Sequence, residues 1–385
     1  FSLHPVYDGQ VEPCLLTGNI QGLQPGGAPT MAWSHRGTQQ SKLLPAVQTD
    51  PFLQALEHLK ALLNSWPSLP TITAVAHRVV HGGTLFSASV VVTPDILAQL
   101  GQLSALAPLH QPHNVAGIEA FAQAFTGVPQ VACFDTAFHT TQPPIAQAFA
   151  LPAEVTNMGV RRYGFHGLSY RYIMMCLQAH SARADQRVLM AHLGNGASLC
   201  AALNGKSYAH SMGFSTLDGL MMGTRSGSVD PGVLLHLMEQ GWDHQRIQNL
   251  LYKQSGLLGV SGISADMRTL RTSGEANAQK AIDLFTHRLL RESGGLIACL
   301  GVVDVVVVSG GIGEHDTVLR AETCAQLRWL GVELDAAANQ AATGDAISAI
   351  HAPGSRVEVW VIPTDEGLVA AMDAVKLVSA KMPAG

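Results

Sequence analysis

The sequence predicts an α/β protein with mixed β-sheets, because short apolar segments typical of strands alternate with segments of helical periodicity. Residues 72–80 alternate in polarity and stop at His81-Gly82-Gly83, as expected of a strand that ends in a turn. Residues 302–308 form a continuous apolar segment, which is typical of a strand buried on both faces. The length of 385 residues exceeds that of a single hydrophobic core and favours two domains.

The local patterns predict the elements of the first half of the chain in turn. Gly, Pro, Ser and Gln with little periodicity predict short strands and loops at 21–50, and apolar residues at helical spacing predict a helix at 52–65. Strands are expected at 72–80 and 130–134, and the second of these ends at Asp135-Thr136.

The second half repeats a pattern of strand, glycine-containing turn, and strand or helix. We expect the following elements: a hairpin of strands 188–191 and 197–203 around His192-Leu-Gly-Asn-Gly196, a turn at Asn204-Gly205, a strand at 302–308, a turn at Ser309-Gly-Gly-Ile-Gly-Glu314 with a helix behind it, a strand at 357–362, and a helix at 367–379.

Composition excludes several classes of partner. Charged residues make up 13% of the chain, against about 25% in a typical soluble domain, and such a low charge also occurs in membrane proteins. The most apolar segment, 302–308, contains Asp304 and is far shorter than the ~20 residues of a transmembrane helix. No signal-peptide pattern opens the sequence, the net charge is −5, and no Lys/Arg-rich run occurs. We therefore expect neither a membrane nor a nucleic acid as partner.

The six cysteines, at positions 14, 133, 176, 200, 299 and 324, form no C-x-x-C and no other short spacing. This pattern indicates buried small residues in a reducing compartment, and neither a disulfide framework nor a zinc site. A cytoplasmic location is the expectation that follows.

Polar residues gather where the predicted strands end. They are Arg78, Asp135, His192 with Asn195, Gly310 to Glu314, and Asp365 with Glu366. In open α/β sheets, ligands bind outside the carboxyl ends of the strands. Any one of these groups alone is typical of an ordinary turn, but five together predict a ligand site.

Two glycine-rich turns, Gly194-Asn195-Gly196 and Gly310-Gly311-Ile312-Gly313, are suited to binding phosphate. Backbone N–H groups can approach an anion where no Cβ blocks the way. Each turn alone is a weak signal, because such sequences also occur in ordinary hairpins. A Walker A loop is excluded, since Cys200 stands where its first glycine is required, and the Rossmann fingerprint is missing.

Arginines and histidines add to this picture. Arg78 lies at a strand end and Arg225 lies between glycines in Gly223-Thr-Arg-Ser-Gly227. The planar guanidinium suits carboxylate and phosphate through two parallel hydrogen bonds. Of the 17 histidines, none has metal-ligand spacing, and His110 and His166 in turn-like settings are better candidates for contacting an anionic group.

Eight motifs, taken together, resemble the acetokinase family in the actin/hexokinase/Hsp70 superfamily, over nearly the whole chain and in unbroken order. They are His77-Arg-Val-Val-His-Gly-Gly83, Ala107-Pro-Leu-His110, Phe134-Asp-Thr-Ala-Phe-His139, Arg161-Arg-Tyr-Gly-Phe-His-Gly167, His192-Leu-Gly-Asn-Gly196, Met222-Gly-Thr-Arg-Ser-Gly227, Gln254-Ser-Gly-Leu-Leu-Gly259 and Ser309-Gly-Gly-Ile-Gly-Glu314. The resemblance implies a two-domain actin/hexokinase-like fold with mixed sheets flanked by helices and a cleft between the domains. Residues 1–137 plus 368–385 would form an acyl-substrate domain, and 138–367 a nucleotide-binding and dimerisation domain.

The implied activity is reversible, direct in-line phosphoryl transfer from ATP to acetate, giving acetyl phosphate and ADP with Mg²⁺ or Mn²⁺, in a homodimer. By resemblance, the catalytic residues are Arg78, Asp135, His166 and Arg225, and Glu366 helps to bind the metal. Asp135 would orient Arg78 or metal-bound water, because acetate needs no strong base. ATP would contact His192, Leu193, Gly194, Asn195, Gly196, Asp266, Met267, Arg268, Gly311, Ile312, Gly313, Glu314 and His315.

The acyl group would contact Arg78, Val80, Leu109, His110, Phe165 and Thr216. Val80 narrows the pocket, and an alanine there accompanies a propionate preference in relatives, so acetate is expected to be preferred over propionate. A methylene group changes specificity by only ~1–3 kcal/mol, so propionate should be a poorer substrate that still reacts. A propionate or butyrate kinase of the same family remains an alternative.

The sequence departs from the family at several positions. Thr216 replaces a proline, His315 replaces an asparagine, and Asp365-Glu366-Gly367 replaces Asn-Glu-Glu. The family also opens with a strand and an Asn-x-Gly-Ser-Ser-Ser-x-Lys phosphate turn, whereas this sequence begins at Phe1-Ser2-Leu3, just beyond that lysine. We expect the native protein to carry that segment. Without it, a non-catalytic nucleotide-binding protein is the further alternative.

Overall fold

The chain forms two compact units in the computed structural model, which describes residues 1–23, 28–45, 51–66, 69–108 and 110–380. The first unit combines Phe1–Ala137 with Asp365–Gly385, and the second is the continuous stretch Phe138–Thr364. Within the described ranges, no helix is long and apolar enough to span a bilayer.

The described strands of the first unit form three small sheets. An antiparallel sheet has the order β1-β4-β5-β6, β2 pairs with β3, and the third sheet has the order β7-β9-β8 with β7 and β9 parallel. The strands are β1 Ser2–Leu3, β2 Val6–Tyr7, β3 Gln10–Val11, β4 Leu16–Gln21, β5 Thr30–His35, β6 Thr38–Leu43, β7 Val75–Val79, β8 Val90–Val91 and β9 Gln130–Phe134.

The α-helices in the described part of this unit are α1 Pro51–Asn64, α2 Pro94–Gln102, α3 Gln111–Ala124 and, from the end of the sequence, α15 Glu366–Ser379, with a 3-10 turn at Leu103–Ala105. Helix α1 buries Leu56, Leu59 and Leu63, which recur at helical spacing and pack with Leu16 of β4. Thr93 caps α2 by accepting a hydrogen bond from the backbone of Ile96, and Pro94 occupies the first helical position.

The second unit contains a six-stranded mixed sheet with the order β12-β11-β10-β13-β15-β14. The central β10 is antiparallel to β11 and parallel to β13, so that His192 lies opposite Ser198 on one side and Ser309 on the other. The strands are β10 Arg187–Leu193, β11 Ala197–Leu203, β12 Lys206–His210, β13 Val305–Ser309, β14 Ser348–Ala349 and β15 Glu358–Val361.

Helices cover both faces of this sheet. Tyr170 and Leu177 of α6 pack on Val188, Met190 and neighbouring core residues, and α11 contacts β10 and β11. The helices are α4 Pro144–Gln147, α5 Ala153–Thr156, α6 Gly167–His180, α7 Pro231–Glu239, α8 His244–Lys253, α9 Gly256–Ser261, α10 Met267–Thr272, α11 Ala276–Leu300, α12 Gly310–His315, α13 Thr317–Gln326 and α14 Ala336–Ala341, with 3-10 turns at Ala137–Thr141 and Arg328–Leu330.

The α/β class is confirmed, and several elements differ in detail from the sequence expectations. The strand expected at 302–308 begins at Val305, because Gly301 adopts a φ of 82° and Asp304 turns its carboxylate to Arg187. The turn expected from Ser309 to Glu314 is a helix from Gly310 onward. The expectation of six buried cysteines was wrong for Cys299, which is exposed on α11, and for the half-buried Cys14.

Candidate functional site

Three charged side chains meet in the first unit, at the ends of β7 and β9 and at the start of α15. Nε of Arg78 donates to the two carboxylate oxygens of Asp135 at 3.0 and 3.2 Å, and Nη2 donates to Oδ2 at 2.7 Å. Nη1 of Arg78 lies 3.1 Å from Oε2 of Glu366. Strand ends and a helix start therefore place two carboxylates around one guanidinium.

The charges of this first cluster are unequally buried. The side chain of Asp135 is 2% exposed, whereas that of Arg78 is 45% exposed. Asp135, with a smaller contribution from Glu366, holds the pKa of Arg78 above its ordinary value. Burial raises the pKa of Glu366; Arg78 opposes this rise, and the carboxylates of Asp135 and Asp365 add to it. Arg78 thus stays charged and presents an accessible face on which an anion can bind.

Helix α3 fixes the backbone that follows Arg78. This helix begins directly after His110. Asn114, on its first turn, accepts a hydrogen bond from the backbone N–H of Val80 at 3.1 Å and donates one to the carbonyl of Arg78 at 3.3 Å. Val80 is half-buried there. Leu109, the other residue expected at the acyl group, lies outside the described residues.

Two histidines form the centre of a second cluster, in the second unit. His166 has a left-handed backbone (φ 58°, ψ 27°) as the residue before α6, and its ring stacks on that of His192 with centroids 4.4 Å apart. A non-glycine residue in this conformation is uncommon and concentrates at functional sites. A Cβ added to Gly196 would lie 3.4 Å from Nε2 of His166, and one added to Gly194 would lie 3.9 Å from Nε2 of His192. Both Nε2 atoms therefore face the glycine turn.

Arg225 lies over the same turn. Its Nη1 donates to the carbonyl of Thr216 at 2.7 Å, and its Nη2 lies 2.6 Å from the position that a Cβ on Gly196 would take. The backbone of Gly223 donates to the carbonyl of Asn195 at 3.1 Å, and a Cβ on Gly223 would lie 1.8 Å from Oδ1 of Asn195. Arg225 can therefore approach the turn, and Asn195 can approach residue 223, only because residues 196 and 223 are glycines.

A side chain of α12 itself accepts a hydrogen bond from the backbone at the start of this helix. Oε1 of Glu314 accepts from the backbone N–H groups of Gly310 at 2.8 Å and Thr364 at 3.2 Å. Nδ1 of His315 lies 2.6 Å from the carbonyl of Thr343. The Glu314 and His315 side chains therefore serve the fold, whereas Gly311 is exposed and a Cβ there would meet nothing within 4 Å.

The remaining sequence candidates of the second unit divide into exposed and buried side chains. Asp266 caps α10 by accepting from the backbone of Arg268 at 3.0 Å, and the two side chains also pair at 2.9 Å. Met267 is 2% exposed and Phe165 is 1% exposed, so both side chains belong to the packed interior. Thr216 is half-buried.

A divalent cation fits the first cluster in its donor chemistry. Mg²⁺ takes oxygen ligands and is commonly held by one or two carboxylates together with water and substrate phosphates. Glu366 supplies one such carboxylate, whereas both oxygens of Asp135 accept hydrogen bonds from Arg78. Across the described ranges, no group of three or more His, Cys, Asp and Glu side chains could hold a metal ion by itself. A cation at this cluster would thus need water or substrate to complete its ligands.

Sequence reasoning missed the hydroxyl groups behind the two histidines. Oγ of Ser198 lies 2.8 Å from Nδ1 of His166, and Oγ of Ser169 lies 2.8 Å from Nδ1 of His192. The hydroxyl of Tyr170 in turn lies 2.6 Å from Oγ of Ser198. Two positions in the sequence could have indicated these contacts: Ser198 lies two residues beyond the glycine turn, and Tyr170 lies four residues, or one helical turn, after His166.

Comparison with known proteins identifies the family. The model of the acetokinase family matches residues 25–372. An acetate kinase of Rhodopseudomonas palustris is 56% identical over 303 residues, which are 78% of this chain and 76% of the relative.

Solved structures agree. The crystal structure of Porphyromonas gingivalis acetate kinase aligns with a TM-score of 0.85 and 35% identity, covering 95% of this chain and 94% of that one. A propionate kinase from Francisella tularensis aligns over the same shares with a TM-score of 0.88 and 35% identity. These matches confirm the resemblance carried by the sequence motifs and the fold that it implied. The chain belongs to the acetokinase family.

Proposed function

We propose that the protein catalyses the reversible transfer of the terminal phosphoryl group of ATP to acetate, giving ADP and acetyl phosphate by direct in-line displacement. The observation that carries this proposal is the convergence of Arg225, His166 and the Gly194–Gly196 turn, on a chain whose relatives are named acetate kinases. Phosphoryl transfer requires mainly positioning and the neutralisation of spread negative charge, and these groups supply donors for it.

In this mechanism, Arg78 binds the acetate carboxylate through its exposed guanidinium face. Asp135 holds Arg78 in place with three hydrogen bonds, so that the fork is oriented before the substrate arrives. Acetate is already an anion and its oxygen can attack phosphorus directly. Asp135 therefore orients Arg78 and removes no proton.

The transferring phosphoryl group is met by donors of the second unit. Arg225 and Nε2 of His166 face Gly196, where the absence of a side chain lets an anion approach the backbone. Each preorganised donor is worth ~3 kcal/mol of barrier in comparable sites. We assign His192, Leu193 and Asn195 to the phosphates of ATP with this turn, and Asp266 to Arg268 and Gly311 to His315 to the adenosine side. Met267, Glu314 and His315 would contact the adenosine through backbone atoms.

A divalent cation would be held by Glu366 with water and phosphate oxygens. When bound, it would neutralise charge on the phosphates. We infer Mg²⁺ or Mn²⁺, because carboxylate and phosphate oxygens are the ligands that both prefer.

For the methyl end of the acyl group we propose contacts with Val80, Leu109, His110 and Thr216, and with the backbone of Phe165, whose side chain is packed in the interior. The structural match to a propionate kinase keeps propionate as a second candidate substrate. The branched Val80 side chain favours acetate, since an added methylene would need the space that it fills.

We further propose a cytoplasmic homodimer formed through the second unit. Helix α7 supports this assembly, because none of its nine residues is buried although Val233, Leu235 and Met238 are apolar. Exposed apolar surface of this kind is typical of a protein interface.

The decisive experiment measures acetyl phosphate formation by the full-length protein carrying Arg78→Ala or Arg225→Ala. We expect each to lower turnover by at least ~100-fold, because each removes a charge-assisted donor. Arg225→Lys should restore little, since an ammonium group cannot reproduce the fork. Arg187→Ala, which removes an arginine paired with Asp304 at the other end of β10, is the matched control. Near-normal turnover in either folded alanine variant would exclude the proposal.

A further inference from the structure

A chain of hydroxyl groups leads to His166 from the interior of the second unit. The hydroxyl of Tyr170 lies 2.6 Å from Oγ of Ser198, which lies 2.8 Å from Nδ1 of His166. Tyr170 and Ser198 are both 0% exposed, and His166 is 8% exposed. The two hydroxyls are thus closed to bulk solvent, and the groups that bond to them are one another, the ring of His166 and the backbone of His192.

The number of protons links the directions of the two hydrogen bonds, because each hydroxyl has one proton to donate. Burial raises the pKa of Tyr170 well above its ordinary value, so its hydroxyl keeps its proton, and the backbone of His192 also bonds to it. Either hydroxyl can be the donor of the 2.6 Å hydrogen bond between Tyr170 and Ser198, and with Tyr170 as the donor Oγ of Ser198 accepts its proton. Ser198 therefore donates its own proton to Nδ1 of His166. A neutral ring that accepts at Nδ1 carries its proton on Nε2.

We propose that Ser198 and Tyr170 are positioning residues that hold His166 in the Nε2–H tautomer, with this N–H aimed at the transferring phosphoryl group. The inference rests on the proposed function for the identity of that group. The geometry around Nε2 supports it, because this atom faces the turn at Gly196 beside the Nη2 atom of Arg225. In the other tautomer Nε2 would present a lone pair to an anion.

The local fold explains how Tyr170, Ser198 and His166 come to be hydrogen-bonded in series. His166 precedes α6, and the backbone N–H of Tyr170 donates to its carbonyl at 3.0 Å, so that the two side chains are one helical turn apart. Ser198 lies in β11 opposite His192. A helix start and a neighbouring strand therefore fix the three groups independently of any ligand.

The kinetic test uses Ser198→Ala and Tyr170→Phe in the full-length protein. We expect Ser198→Ala to lower kcat for acetyl phosphate formation by at least ~10-fold, with KM for ATP and acetate changed less than ~3-fold, and Tyr170→Phe to act in the same direction. Ser207→Ala is the matched control, because Ser207 is a buried serine that bonds a different histidine, His139. An unchanged kcat in Ser198→Ala, or an equal loss in Ser207→Ala, would overturn the proposal.

A double variant separates positioning from a general structural role. In a His166→Ala background, the further change Ser198→Ala should alter kcat by less than ~2-fold, because Ser198 acts through the imidazole. A second loss as large as that in the wild-type background would overturn the proposal.

Nitrogen NMR of the ¹⁵N-histidine-labelled protein tests the tautomer without any turnover. We expect His166 to be protonated at Nε2 in the wild type, and Ser198→Ala to introduce the Nδ1–H form. A wild-type Nδ1–H ring, or a tautomer unaffected by Ser198→Ala, would refute the inference. Because this readout needs no substrate, it stands even if the protein forms no acetyl phosphate, an outcome that would refute the proposed function alone.

Discussion

The buried His139 should make the stability of the protein depend on pH. Its Nδ1 lies 2.8 Å from Oγ of Ser207 and its Nε2 lies 2.8 Å from the carbonyl of Phe165, so that a neutral ring satisfies both partners. Its ring also contacts that of His210, with centroids 4.4 Å apart. Burial lowers the pKa of His139 to about 4. Burial likewise lowers the pKa of His210, with His139 adding to that shift.

The sign and size of the effect follow from linkage. An unfolded histidine titrates near pH 6.5, so between pH 6.5 and 4 the unfolded chain binds the proton and the folded chain does not. Stability from His139 is therefore complete above pH 6.5 and is lost as the pH falls towards 4. A pKa near 4 corresponds to a loss of about 2 kcal/mol at pH 5 and about 3 kcal/mol at pH 4.

Urea unfolding, followed by circular dichroism between pH 4.5 and 8, measures this loss. His139→Gln keeps a donor and an acceptor but cannot titrate, so its free energy of unfolding should vary less with pH than that of the wild type by about 2 kcal/mol at pH 5. His244→Gln removes an exposed imidazole and serves as the matched control. Equal pH dependence in the wild type and His139→Gln would refute the reasoning.

Three further predictions concern a buried arginine, the acyl pocket and the exposed helix. Arg320 is 2% exposed and donates to four backbone carbonyls and one side-chain oxygen, so Arg320→Met should lower the free energy of unfolding by about 3–5 kcal/mol in urea melts; a loss below 1 kcal/mol would contradict this. Val80→Ala should raise kcat/KM for propionate relative to acetate by about 10-fold, and a wild type that prefers butyrate to acetate would show that the pocket is misassigned. Leu235→Glu should shift sedimentation towards the monomer, and a dimer of unchanged affinity would exclude α7 from the interface.

Backbone patterns were readable from the sequence because they depend on neighbouring residues. The strand Gln130–Phe134 was predicted with its bounds, and the hairpin around Gly194 to Gly196 was predicted from its turn glycines. For α12 the sequence predicts a turn where the structure has a helix, because three glycines in six residues are poor helix formers. In the structure, the Glu314 side chain accepts from the backbone of Gly310, at the start of the same helix, and from the backbone of Thr364, which is distant in the sequence.

In the candidate site, the sequence predicts only the residues that stand out by their charge or as glycines in turns. Arg78 and Asp135 could be singled out by type and by their positions at strand ends, and the structure joins them across 57 residues. Ser198 and Tyr170 carry no such mark, since a buried serine and a buried tyrosine are ordinary core residues in a sequence. Their distinction arises from the packing of α6 on the sheet, which brings Tyr170 to Ser198, and no local pattern specifies that contact.

The return of the chain to the first unit sets an order of assembly during synthesis. Glu366 and Asp373 of α15 reach Arg78 and Ser89, and Glu366 is made more than two hundred residues after Asp135. At ~5–20 residues per second, a ribosome needs roughly 10–50 s for that interval. The histidines, glycines and arginine of the second cluster are all translated within it. The residues of the second cluster have therefore left the ribosome long before Glu366 is made, whereas the carboxylates around Arg78 come together only once α15 has emerged.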